Sequence, residues 1–207
     1  MNIVKESVIF TNRYIRENLL KYIFMSGVIF IVSGLIAFLA MMSLPKDHLV
    51  EIYSIINETF VGKDVVNSDG TLSFLGIFFN NLRAGVIISL VGLIPFLFIP
   101  VLCLIINSII ISVVLVIASV FADESVIMMF IKYILPHGIF ELPALIIEGA
   151  IGIKICTFLC RKIFGRAKNE SLMFHIKVCL EIFAVYIIPL LLIAAFIEAV
   201  VLSALYL

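Results

Sequence analysis

Charged residues are scarce in this 207-residue sequence, and those present leave no net charge. Asp, Glu, Lys and Arg make up 14% of the chain, against about 25% in soluble domains. The 14 basic residues balance the 14 acidic ones, so no overall field favours binding to nucleic acid or to an acidic substrate. Hydrophobic residues make up 64% of the chain, and the mean hydropathy is +1.29. This composition excludes an ordinary soluble domain and predicts a multi-pass protein of the cell membrane, with the lipid bilayer as its solvent.

The sequence also lacks the short motifs of common hydrolases. Neither HExxH nor GxSxG occurs in it, and these patterns accompany zinc proteases and serine hydrolases, respectively. The connections between its apolar runs are too short to fold as a separate catalytic domain. We therefore expect no enzymatic activity and no cofactor.

Cysteine is sparse as well, with residues only at Cys103, Cys156, Cys160 and Cys179. On the topology derived below, all four lie near the cytoplasmic ends of spans, where disulfides are rare. Cys156 and Cys160 share a helix face, and His175 precedes Cys179 by four residues, but these spacings match no usual zinc pattern. We expect small residues buried at helix contacts and no metal site.

Five apolar runs are long enough to cross a membrane, which takes about 20 residues for a hydrocarbon core of about 30 Å. The predicted fold is all-α, a polytopic membrane helix bundle with about five transmembrane helices in a single membrane domain over residues 1–207. Pro95 and Pro100 lie in a stretch without charge, 84–121, and we expect them to mark the turn between the second and third spans. The predicted transmembrane segments are 22–44, 82–99, 101–121, 139–160 and 178–205.

Basic residues flank these spans unevenly. They precede the first span and fill the connection between the fourth and fifth, whereas the 45–79 connection is mostly acidic. Because basic flanks stay in the cytoplasm, we expect the N-terminus inside and the C-terminus outside. The basic residues are Lys5, Arg13, Arg16 and Lys21 before the first span, and Arg161, Lys162, Arg166, Lys168 and Lys177 before the fifth.

Two flanking segments have helical patterns of their own. Apolar residues at helical spacing in 1–21 predict either an amphipathic lead on the inner membrane surface or a solvated helical arm. The apolar run that follows exceeds the roughly 7 to 15 residues of a signal-peptide core, so we expect an uncleaved anchor. In the 45–79 connection, Leu49, Ile52 and Tyr53 belong to one apolar stripe of an amphipathic extracytoplasmic helix. Ser73 is a predicted N-cap for the next helix.

Ionisable residues in the fourth span form the main candidate site. His137, Glu141 and Glu148 follow at intervals of four and seven residues, so they lie along one helix face. Such residues in a membrane usually pair inside the bundle. Arg83 and His137 are candidate donors to Glu141, and Arg83 would instead meet Glu148 if the second helix began at Ser73. The predicted intramembrane polar network comprises Asn80, Asn81, Arg83, Asn107, His137, Glu141, Glu148 and Glu198.

Small residues in the fourth span predict close helix contacts. Glycine lets two helix backbones approach one another inside a membrane. The contact could lie within the chain, which we favour, or between two copies in a homo-oligomer. The predicted helix-packing residues are Gly138, Pro143, Gly149 and Gly152.

The stretches "NNLR" and "LPHGIFELPALIIEGAIG" resemble the stage II sporulation protein M family. The family hallmark is a histidine-glycine pair followed closely by a glutamate, a proline and a helix that contains glycine. Glu148 stands where the family pattern has a small residue. The hallmark corresponds here to His137, Gly138, Glu141, Pro143, Gly149 and Gly152, and more loosely to Asn81 and Arg83.

The resemblance implies a membrane scaffold. In spore-forming bacteria the family member looks like a scaffold that recruits peptidoglycan-degrading partners during engulfment, and relatives also occur in organisms that do not sporulate. We therefore expect a non-enzymatic scaffold that assembles membrane or cell-envelope protein partners. The alternative is a transporter or lipid-handling protein that uses the polar face of the fourth helix, because intramembrane ionisable residues often mark a substrate path.

Overall fold

The computed structural model describes residues 2–60, 72–167 and 171–205. These residues form helices and contain no β-strand, which confirms the predicted all-α fold. The helices are α1 (Asn2–Tyr14), α2 (Leu20–Met42), α3 (Lys46–Phe60), α4 (Phe74–Leu90), α5 (Ile99–Ala122), α6 (Val126–Met129), α7 (Leu135–Ile163), α8 (Leu172–Ile182) and α9 (Ile188–Leu205).

Short π-helical turns join three pairs of helices into longer continuous ones. Ile15–Leu19 joins α1 to α2, Phe130–Ile134 joins α6 to α7, and Phe183–Ile187 joins α8 to α9. Five of the resulting helices are long and apolar enough to cross a membrane, as predicted, while the side on which each terminus lies stays a prediction. The five are Lys5–Met42, Phe74–Leu93, Ile99–Ala122, Val126–Ile163 and Leu172–Val200.

The second of these helices begins earlier than the segment 82–99 that hydropathy predicted. Ser73 is its N-cap, as expected, and its hydroxyl accepts a hydrogen bond from the Gly76 amide at 3.1 Å. Hydropathy placed the start near Arg83 because the charge-free stretch begins there. A helix instead begins where its first amides find an acceptor.

The predicted tight turn between the second and third spans occupies residues 94–98. Phe96 and Phe98 have positive φ values of 70° and 46°, which lets the chain reverse within a few residues. Pro100 lies in the first turn of α5, where a missing amide proton costs nothing. Helix α7 contacts this turn, because the Phe96 amide donates a hydrogen bond to the Cys160 sulfur at 3.2 Å. None of the four cysteines forms a disulfide in the structure.

Helix α7 lies at the centre of the bundle and packs against α2, α4, α5 and α9. Glycine makes these contacts close, since a Cβ on Gly152 would lie 2.6 Å from the Ile88 carbonyl oxygen. A Cβ on Gly149 would lie 2.7 Å from the Leu104 side chain. Both contacts join α7 to other helices of the same chain.

The other two predicted packing residues do not make such contacts. A Cβ on Gly138 would meet only side chains of its own helix, Ile134 and Leu142, at 3.4 Å or more. Pro143 lies inside α7 with an exposed ring. Close approach is therefore concentrated in the second half of α7, where the neighbouring helices cross it.

The amphipathic segments at both ends of the first span pack on the bundle. Leu49 of α3 is 2% exposed and clusters with Val113 and Val116 of α5. In α1, Thr11 and Tyr14 are buried, and α1 contacts α8. The apolar stripes predicted in these segments thus cover protein surface.

Candidate functional site

Three ionisable side chains converge where α7 and α9 meet: His137, Glu141 and Glu198. We call them the outer cluster, after the side of the membrane on which the sequence predicts them. His137 Nε2 lies 3.9 Å from Glu141 Oε2, one helical turn away. Glu198 comes from α9, and one potential ligand atom from each residue lies within 4.8 Å of the others. All three side chains are half-buried.

Buried small residues lie next to the outer cluster on both helices. Ala144 of α7 and Ala195 of α9 are fully buried members of one core cluster, and α7 packs against α9. The two continuous helices run in opposite directions, because Phe158 contacts His175 near one end and Glu141 approaches Glu198 near the other. Glu141 lies three residues before Ala144, and Glu198 lies three residues after Ala195. Each glutamate therefore lies about one helical turn from a buried alanine of its own helix.

A cleft of about 460 Å³ opens beside the outer cluster, between α5 and the α6–α7 segment. His137 and Glu141 are the charged or titratable groups of its wall together with Tyr133, and the rest is mainly apolar. Two of the three residues of the outer cluster therefore line this cleft. Its other lining residues are Ile110, Ile111, Val114, Ala118, Met129, Ile134, Gly138 and Leu142.

Glu148 lies two turns further along α7 and is only 2% exposed. Its carboxylate occupies the space that a Cβ on Gly85 of α4 would take. Its Oε1 has no hydrogen-bond partner among the described residues. The Glu148 backbone carbonyl accepts a hydrogen bond from the Ser89 hydroxyl at 3.3 Å. The Glu148 side chain therefore fits between α4 and α7, because the facing residue, Gly85, has no side chain.

Arg83 does not join either glutamate, contrary to the pairing suggested by the sequence. Its side chain is exposed, and it forms no ion pair with any residue that the structure describes. It is the tenth of the 20 residues of Phe74–Leu93, so it lies at the middle of this helix. The Arg83 guanidinium thus faces away from the bundle at mid-length of an apolar helix.

The asparagines of the predicted network also lie apart from the outer cluster. Asn80 is exposed on α4 and Asn81 is half-buried there. Asn107 donates a hydrogen bond from Nδ2 to the Cys103 carbonyl at 2.8 Å on its own helix. Of the eight predicted residues, the structure brings together His137, Glu141 and Glu198, and places Glu148 deeper on the same helix.

A second polar group, at the other end of α7, escaped the sequence analysis. The Tyr14 hydroxyl lies 3.1 Å from His175 Nδ1. Lys154 Nζ donates to the Asn18 carbonyl at 3.1 Å and lies 4.4 Å from the centre of the Tyr14 ring. We call these four residues the inner cluster. Tyr14 follows Thr11 at helical spacing, which was the one available signal that it lies on the buried face of α1.

A cavity of about 570 Å³ adjoins the inner cluster between α1 and α8. Arg13 and Glu17 contribute charge to its wall beside Tyr14 and His175. Lys154 connects α7 to the junction of α1 and α2 through its contacts with Asn18 and Tyr14. The inner cluster therefore attaches the N-terminal helix to the bundle.

Comparison with known families identifies the chain. The family model for stage II sporulation protein M, SpoIIM, matches residues 23–201. The chain belongs to this family. The match includes the whole stretch from His137 to Gly152, on which the resemblance was based, so the predicted family membership is confirmed. No curated protein and no solved structure matches the chain.

Proposed function

We propose that this SpoIIM-family protein is a non-enzymatic membrane scaffold that binds the transmembrane helix of a partner protein along α4. Exposed Arg83 is the observation that carries the proposal. A charged side chain at the centre of a bilayer costs about 2.5 to 3.5 kcal/mol or more. A partner helix that covers Arg83 and supplies a carboxylate would offset this cost.

The surroundings of Arg83 support a protein contact. Asn80, Arg83, Ala84 and Ile87 are all exposed and repeat at i, i+3, i+4 and i+7, which makes them one stripe of α4. Polar and small residues are typical of helix contacts inside membranes, whereas a lipid-facing stripe needs only large apolar residues. The stripe predicts a partner span that carries Asp or Glu opposite Arg83.

Photo-crosslinking in native membranes tests this proposal. A photoreactive residue at Ala84 should yield a defined product with one membrane protein, whose span carries an acidic residue. The matched control position is Leu35 of α2, which is 56% exposed and should yield lipid adducts. Arg83→Leu should abolish the Ala84 product, whereas Arg83→Lys, which keeps the charge, should retain it. The same lipid adducts at Ala84 and Leu35 would contradict the proposal.

A transporter or lipid-handling protein is the second candidate, favoured by the cleft beside the outer cluster. Proteoliposomes containing the purified protein should be assayed for movement of protons, divalent cations and a fluorescent phospholipid. The scaffold proposal predicts no flux above that of empty liposomes. Flux that is lost in a folded Glu148→Gln variant would replace the scaffold with a transporter, because Glu148 is the buried acid of the same helix face.

A further inference from the structure

We propose that the outer cluster is a binding site for a divalent transition-metal cation, with His137, Glu141 and Glu198 as its protein ligands. This inference is independent of the scaffold proposal, because it concerns the α7–α9 contact and not the exposed stripe of α4.

The geometry suits a metal ion. Imidazole nitrogen and carboxylate oxygen bind zinc at about 2.0 to 2.2 Å, so neighbouring ligand atoms lie about 3 to 3.5 Å apart around the ion. The three potential ligand atoms already lie within 4.8 Å of one another. Each glutamate side chain has three rotatable bonds, through which its carboxylate can approach the ion.

The charges of the site also favour a cation. Glu141 and Glu198 are two acids held side by side within helices that cross the membrane, where like charges repel strongly. No Lys or Arg forms an ion pair with either glutamate in the part of the chain that the structure describes. A divalent ion would neutralise both carboxylates and would be coordinated by the lone pair of the His137 imidazole nitrogen.

The ligand set indicates which ions would bind. One imidazole and two carboxylates suit Zn²⁺, Mn²⁺ or Fe²⁺, whereas Mg²⁺ prefers oxygen ligands alone. Three protein ligands leave coordination positions for water. The cleft of about 460 Å³, whose wall includes His137 and Glu141, adjoins the side on which these positions would lie.

Measurement of metal binding to the protein in nanodiscs tests this proposal. After removal of metals with a chelator, titration with Zn²⁺ by calorimetry and with Mn²⁺ by electron paramagnetic resonance should each show one ion per chain. Mg²⁺ should bind at least about tenfold more weakly, because it gains little from the imidazole. The zinc X-ray absorption spectrum should show scattering from one histidine ring, and a spectrum without it would overturn the proposal.

Variants assign the ligands. Glu198→Gln and His137→Gln should each weaken Zn²⁺ binding at least about tenfold, since each removes one of three ligands. The matched controls are Glu51→Gln and His48→Gln, which change the same residue types at exposed positions of α3 and should bind as wild type. Circular dichroism and gel filtration establish that each variant is folded. Wild-type affinity in folded Glu198→Gln and His137→Gln would overturn the proposal, as would the absence of stoichiometric Zn²⁺ binding.

Discussion

At the scale of single residues, the direction of a side chain around its helix decides what it can reach. Arg83 and Gly85 are two residues apart on α4, and two residues rotate a helix by about 200°. Gly85 faces Glu148 of α7, so Arg83 points to the opposite side. The position of Arg83 along its helix therefore suggests a glutamate partner that the side chain, on the opposite face, cannot contact.

A double-mutant cycle tests this arrangement. In chelator-containing detergent buffer, Glu141→Ala and Arg83→Ala should change the free energy of unfolding additively, within about 0.5 kcal/mol, because residues without shared partners act independently. His137→Ala and Glu141→Ala should not be additive, since His137 Nε2 and Glu141 Oε2 are 3.9 Å apart. Chemical unfolding of the single and double variants gives both coupling energies. A clear coupling between Arg83 and Glu141 would contradict the structure.

The inner cluster gives a second prediction at this scale. Tyr14→Phe removes the hydroxyl that lies 3.1 Å from His175 Nδ1 in a buried contact, and it should lower the free energy of unfolding by about 1 kcal/mol. Tyr186→Phe is the matched control, because the Tyr186 hydroxyl donates to Asn12 Oδ1 at 2.7 Å in an exposed contact. Water can replace that partner, so the loss should be smaller. Equal losses on chemical unfolding would show that burial of the Tyr14 contact adds nothing.

At the scale of elements, the helices were predictable and their contacts only partly so. Each apolar run became a helix, since a chain in lipid must satisfy its backbone hydrogen bonds within the segment. Gly149 and Gly152 of α7 were recognised as contact residues, but Gly92, which faces the Gly152 backbone, was not. Nothing local in the sequence distinguishes Gly92 from Gly27, which has no neighbouring atom within 4 Å of a Cβ position.

This difference predicts opposite effects of one substitution. Gly92→Ala places a methyl group against the Gly152 backbone and should lower the free energy of unfolding by about 1 to 3 kcal/mol. Gly27→Ala adds the same methyl group in an open position inside α2, and should raise stability by up to about 1 kcal/mol through its higher helix propensity. Thermal unfolding in detergent compares the two variants. Equal effects would mean that Gly92 approaches α7 less closely than the structure has it.

At the scale of the whole molecule, charge distribution predicts how the bundle sits in the membrane. The basic connection before α8 should be cytoplasmic, and the acidic connection after α2 should be outside. Cysteines at Arg166 and Asp47, both exposed, should be introduced after the four native cysteines are replaced by alanine. A membrane-impermeant thiol reagent applied to intact cells should label Asp47→Cys and leave Arg166→Cys unlabelled until the cells are permeabilised. The reverse pattern would invert the topology.

The sequence by itself determined that the solvent of this protein is the lipid bilayer, that its fold is helical and to which family it belongs. Those properties follow from long apolar runs and from the motif between His137 and Gly152, both of which are local in the chain. The tertiary structure decided which polar residues meet. Glu198 is 57 residues from Glu141, and the two become neighbours only because α7 and α9 pack against each other. The rotation of α4 about its own axis likewise directs Arg83 outward. That rotation depends on the packing of all the helices, which no single segment specifies.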